Sequence, residues 1–335
     1  MFAACVRNCE PALPNVLENI GRMAGLYSGS AFVFLENDST DRSRDILQSW
    51  CSTAPEARLL TFDGLAGCCP IRTVRLALLR NRYLSILRTE YADYDHLIIV
   101  DCDDINAGPI DSDCFRRAVE FLESDSAHAG VFAGQGGLYY DLWALRHAEL
   151  CPNDIWEEEF DLIAARRTPR IEAFKQTVAK RAFKLPADAP PLEVRSAFGG
   201  IGLYKASHVR DGAQRYIGHK SKRITFEDET QEAVWQTCEH VALNAGICDR
   251  GGRLFVLPYL VNGTSDPSRF FGPNPAHNPD LAFEPKWLPF PRNAEPPANR
   301  NAPCPCGHGR RYKNCHGELG LPGIPAPLQN LFADY

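Results

Sequence analysis

The segment "HLIIVDCDDINAG" (His96–Gly108) sets an unbroken apolar run, Leu97 to Val100, directly against Asp101, Asp103 and Asp104. A short continuous apolar run bounded by turn residues reads as a strand buried on both faces of a sheet. Carboxylates crowded at its end repel one another unless a cation sits between them. Strand side chains alternate in direction, so Asp101 and Asp103 are expected on one side, with Cys102 and Asp104 on the other. Two carboxylates at a strand terminus make a seat for a hard divalent cation that also holds phosphate oxygens. The plainer alternative is an acidic loop start that caps the following turn.

Working outward, "FAACV" (2–6), "AFVFLE" (31–36), "RLLTF" (58–62) and "AGVFAG" (129–134) read as further strands. Between them, "LPNVLENIGRMAGLY", "SRDILQSWCS", "IRTVRLALLRNRYLSILRTEY" and "SDCFRRAVEFLES" carry apolar residues at helical spacing. This β-α-β-α order predicts an α/β fold, a mostly parallel sheet flanked by helices on both faces, with ligands beyond the carboxyl ends of the strands. A less regular half follows: the aromatic "GGLYYDLWALRH", read as a strand, a charged helical stretch from Trp156 to Lys184, "SAFGGIGLYKA", "EAVWQTCEHVALNAG", and a last strand "RLFVLPYLV".

Composition narrows the function. The 335-residue chain is 44% hydrophobic with a formal net charge of −6, and it has no long basic run, which argues against nucleic acid as the main ligand. No stretch is apolar for long enough to span a bilayer. Ten of the thirteen cysteines scatter from Cys5 to Cys248 without paired spacing, which suggests free thiols in a reducing cytoplasm. Ten of the twenty-five prolines fall between Pro267 and Pro303, so residues 263–300 are expected to form an extended arm or linker, with Phe270, Phe271, Trp287 and Phe290 favouring an arm that wraps the domain.

Several segments offer polar groups to a ligand. "LENDSTDRS" places Glu36 and Asp38 at the second strand end, where a carboxylate suits a ribose or base, although an Asx turn is equally consistent. "RTVRLALLRNRYL" presents Arg72, Arg75, Arg80 and Arg82, whose forks suit phosphate oxygens. Gly199 and Gly200 allow close backbone approach to a ligand. In "YYDLWALRH", Asp141 and Trp143 could line an acceptor sugar or belong to the core.

Taken in order, "VRN", "FLENDSTDRS", "RLALLRN", "LIIVDCDD", "SAFGGIGLY" and "CEHVALN" resemble bacterial metal-dependent glycosyltransferases of the GT-A fold with their Asp-x-Asp signature, and more loosely capsule-type mannosyltransferases. The resemblance covers residues 1–262. It implies that Asp103 and Asp101 share Mn²⁺ or Mg²⁺ with the two phosphates of a nucleotide-sugar donor. It places Arg7, Glu36, Asp38, Arg80, Gly199 and Gly200 around that donor, and Glu239 as general base toward an acceptor hydroxyl. Relatives often add a metal-binding histidine after the final strand, where this chain has only Asn262 and Asp266; His240 or water would then complete the shell.

The tail "NAPCPCGHGRRYKNCHG" gathers Cys304, Cys306, Cys315 and His316, three thiolates and an imidazole, which is the set a tetrahedral structural Zn²⁺ takes. It resembles the SEC-C motif over residues 302–317, within a module taken as 301–318 and followed by a tail at 319–335. The implied role is a zinc knuckle that docks a protein partner. Two other readings stay open: a non-catalytic SEC-C adaptor for translocation or ribosome machinery, and a metal-dependent nucleotidyltransferase.

Overall fold

In the computed structural model the described residues are 1–262, apart from 136–137, 167, 213 and 227–228, together with 295, 297–305, 310–315, 328 and 331. The expected proline-rich arm at 263–300, with Phe270, Phe271, Trp287 and Phe290, lies almost wholly outside them.

Strands β1 (Phe2–Val6), β2 (Phe32–Glu36), β3 (Ala57–Thr61), β4 (His96–Val100) and β5 (His128–Ala133) form where the apolar runs predict. Helices α1 (Leu13–Ala24), α2 (Ser43–Thr53), α3 (Leu65–Cys68), α4 (Arg72–Thr89) and α5 (Ser112–Glu123) lie between them. With β6 (Leu192–Val194), β7 (Ile201–Lys205) and β10 (Arg253–Leu257) they make one eight-stranded sheet, ordered β3-β2-β1-β4-β7-β5-β10-β6. It is mostly parallel, but β7 runs antiparallel to both β4 and β5, and β6 antiparallel to β10.

Strand alternation divides the core between the two faces. Ala3, Val33, Leu35, Leu97 and Ile99 pack on the face that also buries Leu78, Leu84 and Leu243, while Phe2, Ala4, Phe34, Ile98 and Val100 pack against Leu13, Leu47 and Phe115 on the other. All five residues of β4 are buried, and each apolar side chain fully removed from water contributes about 1.5–3 kcal/mol. Beyond the sheet, Leu328 and Leu331 are buried with the first of these clusters.

Two expectations need correction. The charged stretch from Trp156 to Lys184 is not one helix: α6 (Ile155–Arg166) stops, and α7 (Arg170–Gln176) restarts behind Pro169, which has an extended backbone and cannot continue a helix. A 3₁₀ turn, Ala179–Arg181, follows. From Leu138 on, "LYYDLWALRH" forms turns with isolated bridges at Leu138 and Arg146 rather than a strand. In the remaining segment, "EAVWQ" ends β9 (Glu229–Gln236), which pairs antiparallel with β8 (His219–Phe226) in a separate two-stranded sheet that precedes α8 (Glu239–Cys248).

Candidate active site

The chain runs β1 to β2 to β3 in one direction across the sheet, then returns to place β4 on the other side of β1. The carboxyl ends of β1 and β4 therefore diverge, and open α/β sheets bind ligands in that crevice. A cavity of about 240 Å³ lies there. Cys5 to Cys9 line it from the end of β1, Asn37 from β2, Asp101 to Asp103 from β4, and Arg72, Arg75, Leu76 and Arg80 from one face of α4.

Asp101 and Asp103 do reach the same cavity, but not by strand alternation. The strand ends at Val100, and the Asp101 N–H donates to the Gly200 carbonyl at 2.9 Å. Asp103 precedes a 3₁₀ turn, Asp104–Asn106, and its carboxylate accepts from the Ile105 N–H at 3.4 Å. Asp103 is exposed into the cavity. The cavity walls keep part of the surrounding water away, and this, with the neighbouring Asp101 charge, pushes its carboxyl up to about 7. Burial also pushes the Cys5 and Cys9 thiols up to about 12, so both are neutral near neutral pH.

Arg80 sits at the centre of the arrangement. It is 3% exposed; its Nε donates to Glu239 at 3.0 Å, its Nη2 to Asp101 at 3.3 Å and its Nη1 to the Tyr83 hydroxyl at 3.3 Å. Its guanidinium also lies 5.1 Å from the Phe198 ring centroid. Glu239, the first residue of α8, is buried and reaches the cavity only through this guanidinium. Asn81 pins this part of α4, exchanging two bonds with the Tyr216 backbone at 3.0 and 2.8 Å, while Tyr83 and Tyr216 join hydroxyls at 2.9 Å.

The glycine pair backs the acidic turn, where the Gly200 carbonyl holds the Asp101 N–H, and lies outside the residues that line the cavity. Gly199 and Gly200 have φ of +70° and +91°, and a Cβ on Gly200 would stand 2.9 Å from Ile105 and 3.0 Å from the Asn262 amide. Asn262 donates to the Gly199 carbonyl at 2.6 Å and to Asn106 at 3.0 Å, and Asn106 donates to the carbonyls of Asp101 and Gly200. This lattice fixes the acidic turn against β7. Gly200→Ala is expected to cost about 1–3 kcal/mol in a denaturant titration, because a left-handed backbone and a blocked Cβ coincide; unchanged stability would mean that Ile105 and Asn262 move aside freely.

The remaining sequence candidates lie near the cavity but outside its lining. Glu36 is fully buried, accepting from Arg44 at 2.7 Å and from the Ser39 N–H at 2.8 Å. Asp38 accepts from the N–H groups of Gly64 and Ala66 at 2.6 and 2.7 Å, tying β2 to α3. Asp141 accepts from the Gly199 N–H at 2.8 Å, and burial pushes its carboxyl up to about 6 despite that bond. The Trp143 indole donates to Asp154 at 3.0 Å. His240 is corrected as a metal ligand: its ring is fully buried, stacked 3.9 Å from Phe198 and edge-on to Tyr216, and it is absent from the cavity wall. Burial and the Arg80 charge keep it neutral.

Sequence reasoning missed Asn106, Tyr83, Tyr216 and Phe198 as parts of this site. The Arg80-Asn81 pair, set between the apolar runs Leu76–Leu79 and Tyr83–Leu84 of α4, was the one available signal, since buried polar groups need partners.

Among the described residues every cysteine is a free thiol, and no group of three His, Cys, Asp or Glu side chains converges as a metal cage. Asp101 and Asp103 alone suit an ion of the Mg²⁺ or Mn²⁺ type, which takes one or two carboxylates and completes its shell with water and phosphate. At the C-terminal end, Cys304 and Cys315 are both buried; Pro303 bridges to Arg311, and the Cys304 N–H donates to the Arg310 carbonyl, folding the chain back on itself. Cys306 and His316 lie outside the described residues.

A family model described as the SEC-C motif matches residues 300–318. The protein translocase subunit SecA of Acinetobacter baylyi is 71% identical over 24 residues, 7% of this chain and 3% of that protein. SecA of Paraburkholderia phymatum is 55% identical over 148 residues, 43% of this chain and 14% of that protein. The chain thus spans only a small part of the length of these curated relatives.

Solved structures resemble the larger part of the chain. The mannosyltransferase PcManGT from Pyrobaculum calidifontis, in complex with GDP-Man and Mn²⁺, is similar at 16% identity and a TM-score of 0.42, over 80% of this chain and 57% of that one. S. aureus TarS 1-349 in complex with UDP-GlcNAc gives 11% and 0.44, over 85% and 62%. Glucosyl-3-phosphoglycerate synthase from Mycobacterium tuberculosis, in complex with Mn²⁺, UDP and phosphoglyceric acid, gives 14% and 0.38, over 79% and 70%. No helix among the described residues is long and apolar enough to cross a membrane.

Proposed function

We propose that this chain is a metal-dependent glycosyltransferase that moves a sugar from a nucleotide-sugar donor to an acceptor hydroxyl. One observation carries the reading: a crowded carboxylate pair faces a wall of arginines across a cavity at the crevice where β1 and β4 part. An acidic wall and a basic wall around one space suit a diphosphate together with a divalent ion.

Asp103 and Asp101 would hold Mn²⁺ or Mg²⁺. When bound, such an ion neutralises charge on the departing nucleoside diphosphate. The end of β1, with Arg7 and Asn8, and Asn37 from β2 take the nucleoside; Glu36 and Asp38 hold that edge through Arg44, Ser39 and α3. Gly199 and Gly200 leave room for the donor sugar, and Asp141 fixes their turn from behind. We assign Asp141 and Trp143 to the acceptor side and Glu239 as the base toward the attacking hydroxyl, a role that requires the acceptor to displace Arg80 from its carboxylate, because Glu239 lies outside the cavity's lining. The new bond forms between that oxygen and the sugar's anomeric carbon as its bond to the phosphate oxygen breaks. The C-terminal module, with zinc on Cys304, Cys306, Cys315 and His316, docks a protein partner, and the free thiols fit a reducing cytoplasm.

A panel of UDP-, GDP-, CMP- and dTDP-sugars, with and without Mn²⁺, tests the activity. One donor class should be hydrolysed or transferred only with metal; turnover of none would contradict the reading. The pH dependence of metal binding follows from Asp103. Its folded-state pKa, raised from 3.8 to about 7, means that the proton competes with the ion below that pH. Mn²⁺ affinity measured by calorimetry should therefore rise about tenfold per unit up to about pH 7 and then level off. A flat profile from pH 5.5 to 8.5 would place the metal elsewhere.

A further inference from the structure

Asn19 sits on the face of α1 that buries Leu13, Val16, Ile20 and Met23, where an amide is tolerated only if its polar atoms are bonded. They all are. Its Nδ2 donates to the carbonyls of Asn106 and Gly108 at 2.9 and 2.6 Å, and its Oδ1 accepts from the Ile110 N–H at 3.1 Å. Helix α1 thereby grips the end of the acidic turn from 87 residues away in the chain.

Asn106 closes that turn and carries the chain of amides onward. Its Nδ2 reaches back over the turn to the Asp101 carbonyl at 2.8 Å and across to the Gly200 carbonyl at 2.9 Å, while its Oδ1 accepts from Asn262. One side chain thus ties the residue that opens the turn to the residue that ends it, with Asp103 between them. Asn19, Asn106 and Asn262 are all buried, and all six N–H groups of their amides find acceptors. The carboxylates do far less to hold themselves in place: Asp103 accepts only the 3.4 Å bond from Ile105, and Asp101 the 3.3 Å bond from Arg80. A fully bonded polar chain inside an apolar core specifies one arrangement where apolar packing would leave several. Here the arrangement specified is the spacing of two carboxylates.

We propose that Asn19 and Asn106 are positioning residues that hold Asp101 and Asp103 at the separation a divalent ion requires before any ion binds. The inference rests on the reading of that pair as a metal seat. Groups that orient a metal's ligands from behind set its affinity by about 10- to 100-fold. An ion meeting a loose turn would have to order it first, and its apparent affinity would fall in proportion to the time the turn spends misformed.

Hydrogen exchange on the metal-free wild-type chain tests this without any substitution. The Asp101 N–H, bonded to the Gly200 carbonyl, should exchange as slowly as the amides of β4, and Mn²⁺ should slow both together. Fast exchange at Asp101 that Mn²⁺ slows selectively would mean that the ion builds its own seat, and would overturn the inference. Calorimetry with Mn²⁺, well below each melting temperature, reads the consequence. N19A and N106A should each bind Mn²⁺ at least about tenfold more weakly than wild type. L122A, which opens a cavity in the core near the last turn of α5, should also melt at a lower temperature but keep wild-type Mn²⁺ affinity. Wild-type affinity in either asparagine variant, or an equal loss in L122A, would overturn the inference and leave the glycosyltransferase reading standing. Asparagine-dependent Mn²⁺ binding in a protein that turns over no nucleotide sugar would do the reverse, and no Mn²⁺ binding by wild type would overturn both.

Discussion

Asp103→Ala is expected to lower Mn²⁺-dependent turnover of the nucleotide sugar by at least about 10³-fold, equivalent to about 4 kcal/mol of transition-state stabilisation. The loss should appear in kcat, because the group acts where charge develops on the leaving diphosphate. The fold should survive. Asp103 makes one long bond, to the Ile105 N–H, and without metal its ionised form suffers loss of water and the Asp101 charge. Its removal therefore costs at most about 1 kcal/mol, and the metal-free protein should melt at an unchanged or slightly higher temperature near neutral pH. Asp104→Ala is the matched control, since Asp104 lies in the same turn but outside the cavity wall. Equal loss in both variants would point to damage of the turn rather than of the metal seat. Paired measurements of steady-state turnover and thermal melting separate the outcomes.

Arg80→Met is expected to destabilise the protein by about 3–5 kcal/mol, a large share of the stability of an ordinary domain. The methionine fills much of the same space, so the cost is electrostatic. Glu239 is buried, and deleting the guanidinium strands its charge in a site walled by Phe198 and Tyr216; Asp101 loses the same partner. Arg80→Lys should recover part of the stability and little of the activity, because one ammonium cannot reach Glu239, Asp101 and the Tyr83 hydroxyl together. Denaturant titrations of the two variants test this. A cost below about 1 kcal/mol for the methionine variant would mean that Glu239 finds another partner or water.

Much of the sheet was legible because strands β1 to β5 are short apolar runs and the helices between them keep a helical period. The acidic turn was legible for the opposite reason: charges placed beside a buried strand demand a partner. What the sequence hid is mainly what depends on distant contacts. Arg80 and Glu239 are 159 residues apart, so neither residue alone reveals their pairing. The antiparallel insertion of β7 between β4 and β5 follows from no local pattern, since "IGLY" reads as a strand in either direction. The hairpin of β8 and β9 was obscured because only Ile224 and Phe226 of "HKSKRITF" are apolar, although their alternation with Arg223 and Thr225 is the signal a two-stranded ribbon leaves. Proline at 169 was visible in the sequence and should have ended α6.

The central claim is that Asp101 and Asp103 tolerate each other because they share a divalent ion with a nucleoside diphosphate. Diffraction at the manganese absorption edge, on crystals grown with Mn²⁺ and a nucleoside diphosphate, tests it most directly. The account predicts one anomalous peak about 2.1–2.3 Å from an Asp103 carboxylate oxygen and from both phosphates. Manganese and nucleotide bound together at another place, with the two aspartates facing only water, would contradict it.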